Sequence, residues 1–300
     1  MQLSVVVPTL NDREHLGATL DALAEQVPTA EVVVANGPSA DGTTGMVRDR
    51  DDVDLLVEVS DRARTVVRNA GIEAASGDAV VLVGQALVVS ETWGRAVREA
   101  LDDGADAVTG PARRRLRGGA TAEEPERRRV GGRFVTHFDG RNVAFRRATL
   151  DALDGFDEYL DAGGARDVAH RLAGLGGTVA WRSEMSARGE YEPDGGRTAG
   201  DWERAHRARA YRLVKNYGLR PAPVRRMLGR AGEDAVESAR EVLHGESLTA
   251  WLGAGRSVAE GIARGAADGL VARARDRTPT RNPYGISHRD DRAVARYDWR

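Results

Sequence analysis

The 300-residue chain has no cysteine, which excludes disulfides, thiolate metal sites and a cysteine nucleophile and fits a reducing compartment. Lysine is nearly absent as well. Of 44 basic residues only Lys215 is not arginine, as a GC-rich coding bias would produce. No apolar run reaches the ~18 residues that a membrane-spanning helix needs. Met1-Gln2-Leu3 leads straight into Ser4-Val5-Val6-Val7, with neither a basic n-region nor a small-residue cleavage site. The expected location is therefore cytoplasmic, with peripheral membrane contact at most. Neither sign of charge prevails: the formal net charge is -2, so no global basic field invites nucleic acid. P-loop, Rossmann glycine fingerprint, zinc-ligand spacing and serine nucleophile elbow are all missing.

What is present is enough for a sizeable core, with 41% apolar and 30% charged residues. Over the first 110 residues, apolar strand runs alternate with helical periodicities. Strands are predicted at 4–7, 31–35, 53–59, 78–83 and 105–109. Between them, Leu16, Leu20 and Leu23 mark one helix, and others are predicted from Asp41, over 62–75 and over 91–100. Such alternation predicts an α/β fold with a mainly parallel sheet covered on both faces. Ligands of such sheets bind beyond the carboxyl ends of the strands, which gathers Pro8 to Asn11, Asn36 to Ser39 and Gly84 to Ala86 around one crevice.

Residues 112–133 carry two arginine clusters, at 113–117 and 127–129, without periodicity, and read as a surface loop. A strand over 141–145 and two helices close a first domain, 1–190. A helical C-terminal region follows over 191–276, with helices at 202–217, 220–243 and 246–276. The remainder, 277–300, reads as an irregular tail. Arg204, Arg207, Arg209, Arg212 and Lys215 form a basic stretch on the first of these helices. It reads as a solvated face, or alternatively as a contact for a phosphate-bearing lipid or membrane surface.

Five segments, in order, resemble the family 2 glycosyltransferases. They are Val5-Val6-Val7-Pro8-Thr9-Leu10-Asn11, Gly37-Pro38-Ser39-Ala40-Asp41-Gly42-Thr43, and Arg68-Asn69-Ala70-Gly71-Ile72 with Ala75-Ser76-Gly77-Asp78. Then come Arg141-Asn142-Val143-Ala144-Phe145 with Gly155-Phe156-Asp157-Glu158, and Asp167-Val168-Ala169-His170-Arg171-Leu172. The resemblance covers about residues 3–182. It implies the GT-A nucleotide-diphospho-sugar transferase fold and transfer of a sugar to a glycan or lipid-linked acceptor. It places Thr9, Asn11, Asn36, Arg68, Asn69 and Gln85 at the nucleotide sugar, and Arg141, Asn142 and Arg166 at the acceptor or diphosphate.

The chain departs from that family at its acidic positions. The metal-holding Asp-x-Asp is Gly84-Gln85-Ala86, and the catalytic Glu-Asp aligns with Gly164-Ala165. A hard divalent cation prefers oxygen ligands, so neither Mg nor Mn is supported there and no cofactor is expected. Asp167, two positions on, is the expected general base, with partnership to Arg171 or a helix-start position as its structural alternative. Asp161 is a second candidate, while His137 and His170 read as structural and Asp41 as a cap of the second helix. Two functions follow. One is a glycosyltransferase using arginines (113–117, 127–129 and Arg166) in place of the metal. The other is an inactive homologue serving as a binding or scaffolding partner of an active transferase.

Overall fold

The structure, a computed structural model, describes residues 1–114, 125–189, 199–221, 224–225, 229 and 248–300. Most of the 113–117 arginine cluster, the link after 190 and most of the helix expected over 220–243 lie outside the described residues.

Strands β1 (Leu3–Thr9), β2 (Glu31–Asn36), β3 (Leu55–Val59) and β4 (Ala79–Val83) alternate with helices α1 (Arg13–Gln26), α2 (Thr43–Arg48) and α3 (Arg64–Ala74). Next come β5 (Leu87–Val89), α4 (Trp93–Asp102), β6 (Ala107–Thr109), β7 (Ala112–Arg114), β8 (Arg127–Val130), β9 (Arg133–Thr136) and β10 (Asn142–Arg146). Helices α5 (Arg147–Leu153) and α6 (Gly164–Gly174) precede β11 (Val179–Trp181) and β12 (Ala187–Gly189). Helices α7 (Ala199–Tyr217) and α8 (Leu248–Arg275) then lead to β13 (Ala293–Asp298).

The eight-stranded central sheet has the order β11-β6-β10-β4-β1-β2-β3-β13. Only β10 and β13 run against the rest, so the expected mainly parallel sheet is present. Its valine runs are continuous because both faces are buried. Val5, Val7, Val32 and Val34 face the side covered by α1 and α4, and Val6, Val33 and Val57 the side covered by α3, α6 and α7.

The C-terminal helices are part of this packing. Ala210, Leu213 and Tyr217 of α7 lie in the same core cluster as α3 and α6. Helix α8 lies against α7 along Gly261, Gly265 and Gly269. A Cβ at these positions would stand 2.5, 2.2 and 2.7 Å from the carbonyl oxygens of Glu203, Arg207 and Tyr211. No helix among the described residues is long and apolar enough to cross a membrane.

Three expectations are corrected. The C-terminal tail is not irregular to its end, since β13 pairs antiparallel with β3 and closes that sheet edge. Its residues alternate half-buried and exposed with none fully buried, so no continuous apolar run marks the strand. Within the expected loop of 112–133, β8 and β9 form a hairpin. The guanidiniums of Arg127 and Arg129 lie 5.1 and 5.8 Å from the Phe134 ring, away from the clefts described below. The basic stretch of α7 is solvated only at its start: Arg204 is exposed and Arg207 and Arg209 half-buried, whereas Arg212 and Lys215 are buried.

Candidate active site

Two adjoining clefts open at the carboxyl ends of β1 and β4. The smaller, about 420 Å³, is bordered by Thr9, Leu10, Asp12, Arg62 and Gln85. The larger, about 640 Å³, is bordered by His137, Asp161, Arg166 and Trp181. Arg64, Arg68, Asp139, Gly140 and Arg141 form the wall that both share.

Gln85, directly after β4, borders the smaller cleft, but its amide is committed to protein partners. Its Oε1 accepts from the Leu10 amide at 2.9 Å, and its Nε2 donates to the Asn11 carbonyl at 3.2 Å and to Asp12 Oδ2 at 3.0 Å. The Gln85 carbonyl accepts from Thr19 Oγ1 at 2.8 Å. Gln85 thus braces the β1–α1 turn, where Asn11 and Asp12 hold positive φ angles of 46° and 112°. Beside it, the Gly84 amide donates to the Arg141 carbonyl at 2.8 Å. A Cβ on Gly84 would stand 3.0 Å from Arg141 Cβ, so the arginine stem fills the space where an aspartate would begin.

These residues do not suit a divalent metal. The nearest carboxylates are engaged elsewhere: Asp12 with Gln85 and the His15 ring, Asp139 with Arg141. Among the described residues no three His, Asp or Glu side chains gather as a ligand set.

Charge on the shared wall is unevenly paired. Asp139 takes a forked contact from Arg141, Nε at 3.0 Å and Nη2 at 2.6 Å. Burial works to raise the Asp139 carboxyl, but Arg141 more than offsets it and holds the group below its ordinary range. Arg166 pairs with Glu126 at 2.8 Å. Arg62, Arg64 and Arg68 make no direct ion pair among the described residues, although Asp139 attracts Arg68 across the wall and the Phe156 ring lies 5.5 Å from its guanidinium; Arg68 Nε is buried without a hydrogen bond. Burial, and then repulsion from Arg64, pull the Arg68 guanidinium down to about 10.

A model of glycosyl transferase family 2 matches residues 4–154, half of the chain. The chain belongs to that family. No curated protein is similar enough in sequence to count as a relative. Two solved structures share the fold of this family 2 glycosyltransferase. The mannosyltransferase PcManGT from Pyrobaculum calidifontis, in complex with GDP-Man and Mn2+, is 20% identical over 92% of this chain and 88% of its own, with a TM-score of 0.57. S. aureus TarS 1-349, in complex with UDP-GlcNAc, is 17% identical over 95% of this chain and 89% of its own, with a TM-score of 0.61. The expected GT-A architecture is thus the observed one.

Of the expected donor residues, Thr9, Arg68 and Gln85 border the clefts of this glycosyltransferase, as do Arg141 and Arg166. The Thr9 hydroxyl is buried without a hydrogen-bond partner. Asn11 instead accepts from the Ala40 amide at 2.8 Å, while its own amide donates to Ser39 Oγ at 2.8 Å. Asn36 donates to Thr44 Oγ1 at 2.9 Å and accepts from Ser39 Oγ at 2.7 Å. Both asparagines therefore shape the loop after β2. Asp41 caps α2 as expected and also holds the start of α1. It accepts from Thr43 and from the Asp12 and Arg13 amides, and these bonds keep its carboxyl well below the usual range.

Three further assignments are corrected by burial. Asn69 is fully buried and pins the turn after α5, exchanging bonds with the Phe156 amide and carbonyl, each at 2.8 Å. Asn142 is also fully buried, accepting from Trp93 Nε1 at 2.9 Å and donating to the Met185 carbonyl at 2.8 Å. Asp167, the expected base, reaches neither cleft. It accepts from Arg171 Nε at 2.7 Å, Lys215 Nζ at 2.9 Å and Asn216 Nδ2 at 2.9 Å, all within the core. Burial works to raise its carboxyl, but Lys215 and Arg171 overcome that and hold it far below the ordinary range. A carboxylate so held cannot collect a proton from an acceptor. Its partnership with Arg171 is the alternative that the sequence offered.

Asp161 stands on the rim of the larger cleft, exposed, and no side chain among the described residues pairs with its carboxylate. His137 borders the same cleft, its ring 5.3 Å from that of His170, whose Nδ1 meets the Tyr217 hydroxyl at 2.8 Å. Arg62 and Arg64 were missed by the motif reading. Their signal lies in the spacing of Arg62-Ala63-Arg64 and Arg68 at the start of a helix, where cations are unfavourable.

Proposed function

We propose that this family 2 glycosyltransferase moves a sugar from a nucleoside-diphosphate donor to a hydroxyl of a glycan or lipid-linked acceptor, without a divalent metal at the usual position. The observation that carries this reading is the shared wall. Arg64, Arg68 and Arg141, against the single carboxylate of Asp139, stand between a cleft bordered by the β1 end and a cleft bordered by Asp161. The donor is assigned to the smaller cleft, which Arg62, Arg64 and Arg68 border. The acceptor fits the larger one. Asp161 takes the proton of the attacking hydroxyl. The bond from that oxygen to the anomeric carbon forms, and the bond from the anomeric carbon to the diphosphate oxygen breaks, releasing the nucleoside diphosphate.

A donor panel, with release of nucleoside diphosphate followed in the presence and absence of acceptor glycans, tests the reading. Asp161→Asn is expected to lower transfer by ~10²–10⁴-fold, the usual contribution of a positioned base, with donor affinity unchanged. The second reading, a non-catalytic partner of another transferase, is favoured by the commitment of Asp167 to the core. Donor binding without turnover of any donor, in wild type, would establish it.

A further inference from the structure

We propose that the corner where the carboxyl ends of α6 and α7 meet the tip of the β8–β9 hairpin docks on an anionic phospholipid bilayer and so presents a lipid-linked acceptor to the larger cleft. The acceptor's being lipid-linked rests on the glycosyl-transfer reading; the docking surface does not. Arg133 lies at the end of α6, where a Cβ on Gly174 would stand 2.8 Å from its Nη1, and its guanidinium is 5.9 Å from the Tyr217 ring of α7. Arg273 lies at the end of α7, its Nη1 donating to the Lys215 carbonyl at 3.0 Å and to that of Asn216 at 3.4 Å. Arg220 and Arg281 stand near enough to repel it. Burial, and then Arg281, Arg220 and Arg133, pull the Arg273 guanidinium down from its ordinary value.

A helix carboxyl end favours a cation, so the two helix ends account for Arg133 and Arg273 and leave Arg220 and Arg281 as surplus like charge. None of the four makes an ion pair among the described residues. Asp276 attracts Arg281, but its carboxylate already accepts from the Thr278 and Asn282 amides at 2.8 and 2.7 Å. Leu175 and Leu219, which follow Gly174 and Gly218, are 40% and 62% exposed. A bilayer interface takes both kinds of group at once, leucines at the acyl boundary and arginines on the phosphates. A soluble polyanion would meet the arginines and leave the leucines in water. The hairpin links this corner to the site: from Arg133, which opens β9, to His137 on the border of the larger cleft is four residues, about 14 Å of strand. The contact thus falls at the opposite end of α7 from Arg204, the exposed member of its basic stretch.

The test is flotation of the full chain with vesicles of phosphatidylcholine alone and of phosphatidylcholine mixed with phosphatidylglycerol, at low and at high salt. Arg133→Gln, Arg220→Gln and Leu219→Ser, all at exposed positions, are compared with wild type. Arg95→Gln and Arg256→Gln are the charge-matched controls, each removing an exposed arginine paired with a glutamate one turn on. Wild type is expected to float with the mixed vesicles only and to be released by high salt. Each of the three variants should weaken binding about fivefold with an unchanged melting temperature. Transfer to a water-soluble glycan acceptor, without vesicles, is followed in parallel. Full transfer with no flotation of wild type overturns the surface and leaves the glycosyl-transfer reading standing. Flotation that depends on these residues, with no transfer from any donor, supports the surface and removes that reading. Equal flotation with phosphatidylcholine alone, wild-type flotation of all three variants, equal loss in the controls, or arginine-dependent binding to heparin without flotation overturns the proposal.

Discussion

Replacing Asp167 by asparagine should loosen the fold and leave the chemistry of each folded molecule intact. The carboxylate sits between Arg171, Lys215 and Asn216, and Lys215 also holds Asp157, which in turn accepts from the Tyr211 hydroxyl at 2.9 Å. All four charged side chains are fully buried. Breaking a buried pair from one side costs about 3–5 kcal/mol, because the partner charge stays behind without its counter-ion. Asparagine keeps the volume and one acceptor oxygen, and Arg171 still donates to the Leu153 and Gly155 carbonyls at 2.5 and 2.8 Å, so the lower end applies. At about 2 °C per kcal/mol for a chain of this size, the melting temperature should fall by roughly 6 °C.

The pH dependence has a definite sign. The folded Asp167 carboxyl is depressed, so its contribution is fully present above the unfolded value of about 3.9 and is lost as pH falls through the folded one. The gap between wild type and Asp167→Asn should therefore be flat from neutral pH down to about 5 and narrow below about 4. Differential scanning fluorimetry across pH, with transfer rates corrected for folded fraction, measures both. A variant that melts with wild type but transfers about a hundredfold more slowly would refute the structural role and restore Asp167 as the base.

Two other outcomes follow from the same contacts. Gln85→Ala removes the three bonds that brace the β1–α1 turn and should cost about 1–3 kcal/mol of stability, read as a lower urea midpoint; a midpoint equal to wild type would remove its bracing role. Deleting residues 293–300 strips β13 from β3, together with the Arg300–Glu31 pair at 2.7 Å, and exposes an apolar sheet edge. Light scattering should then show concentration-dependent association, and a monodisperse monomer would count against β13 as an edge cover.

The parallel sheet was legible because burial on both faces writes itself into the sequence as continuous valine runs such as Val5-Val6-Val7 and Val32-Val33-Val34. Periodicity reports which face is covered and nothing about what a polar side chain meets. Asn36, Asn69 and Asn142 each stand in a donor- or acceptor-side motif, yet the structure commits all three to protein hydrogen bonds. Their partners, Thr44, Phe156 and Met185, lie 8, 87 and 43 residues away. The rule of strand carboxyl ends placed Pro8 to Leu10 and Gly84 to Ala86 at the smaller cleft, but Asn36 to Ser39, gathered there by the same rule, border neither cleft. Of the arginines that border them, Arg68, Arg141 and Arg166 were expected from the resemblance, whereas Arg62 and Arg64 were not. Arg62 and Arg64 stand at the start of α3, outside any motif of the resemblance.

Lys215 shows the same limit from the other side. The scarcity of lysine in the chain says nothing about where the one lysine falls. In the fold its Nζ bonds both Asp157 and Asp167 inside the core. A compact ammonium can stand between two carboxylate oxygens, whereas a planar guanidinium would present its fork to one of them and need acceptors for its remaining N–H groups. Arg171, on the same cluster, has those acceptors in the carbonyls of Leu153 and Gly155. The two cations therefore divide the work by shape, and together they hold the carboxylate nearest the expected catalytic position away from both clefts. Among the described residues that leaves Asp161, without a side-chain partner on the rim, as the carboxylate to which the proposed transfer assigns the acceptor proton.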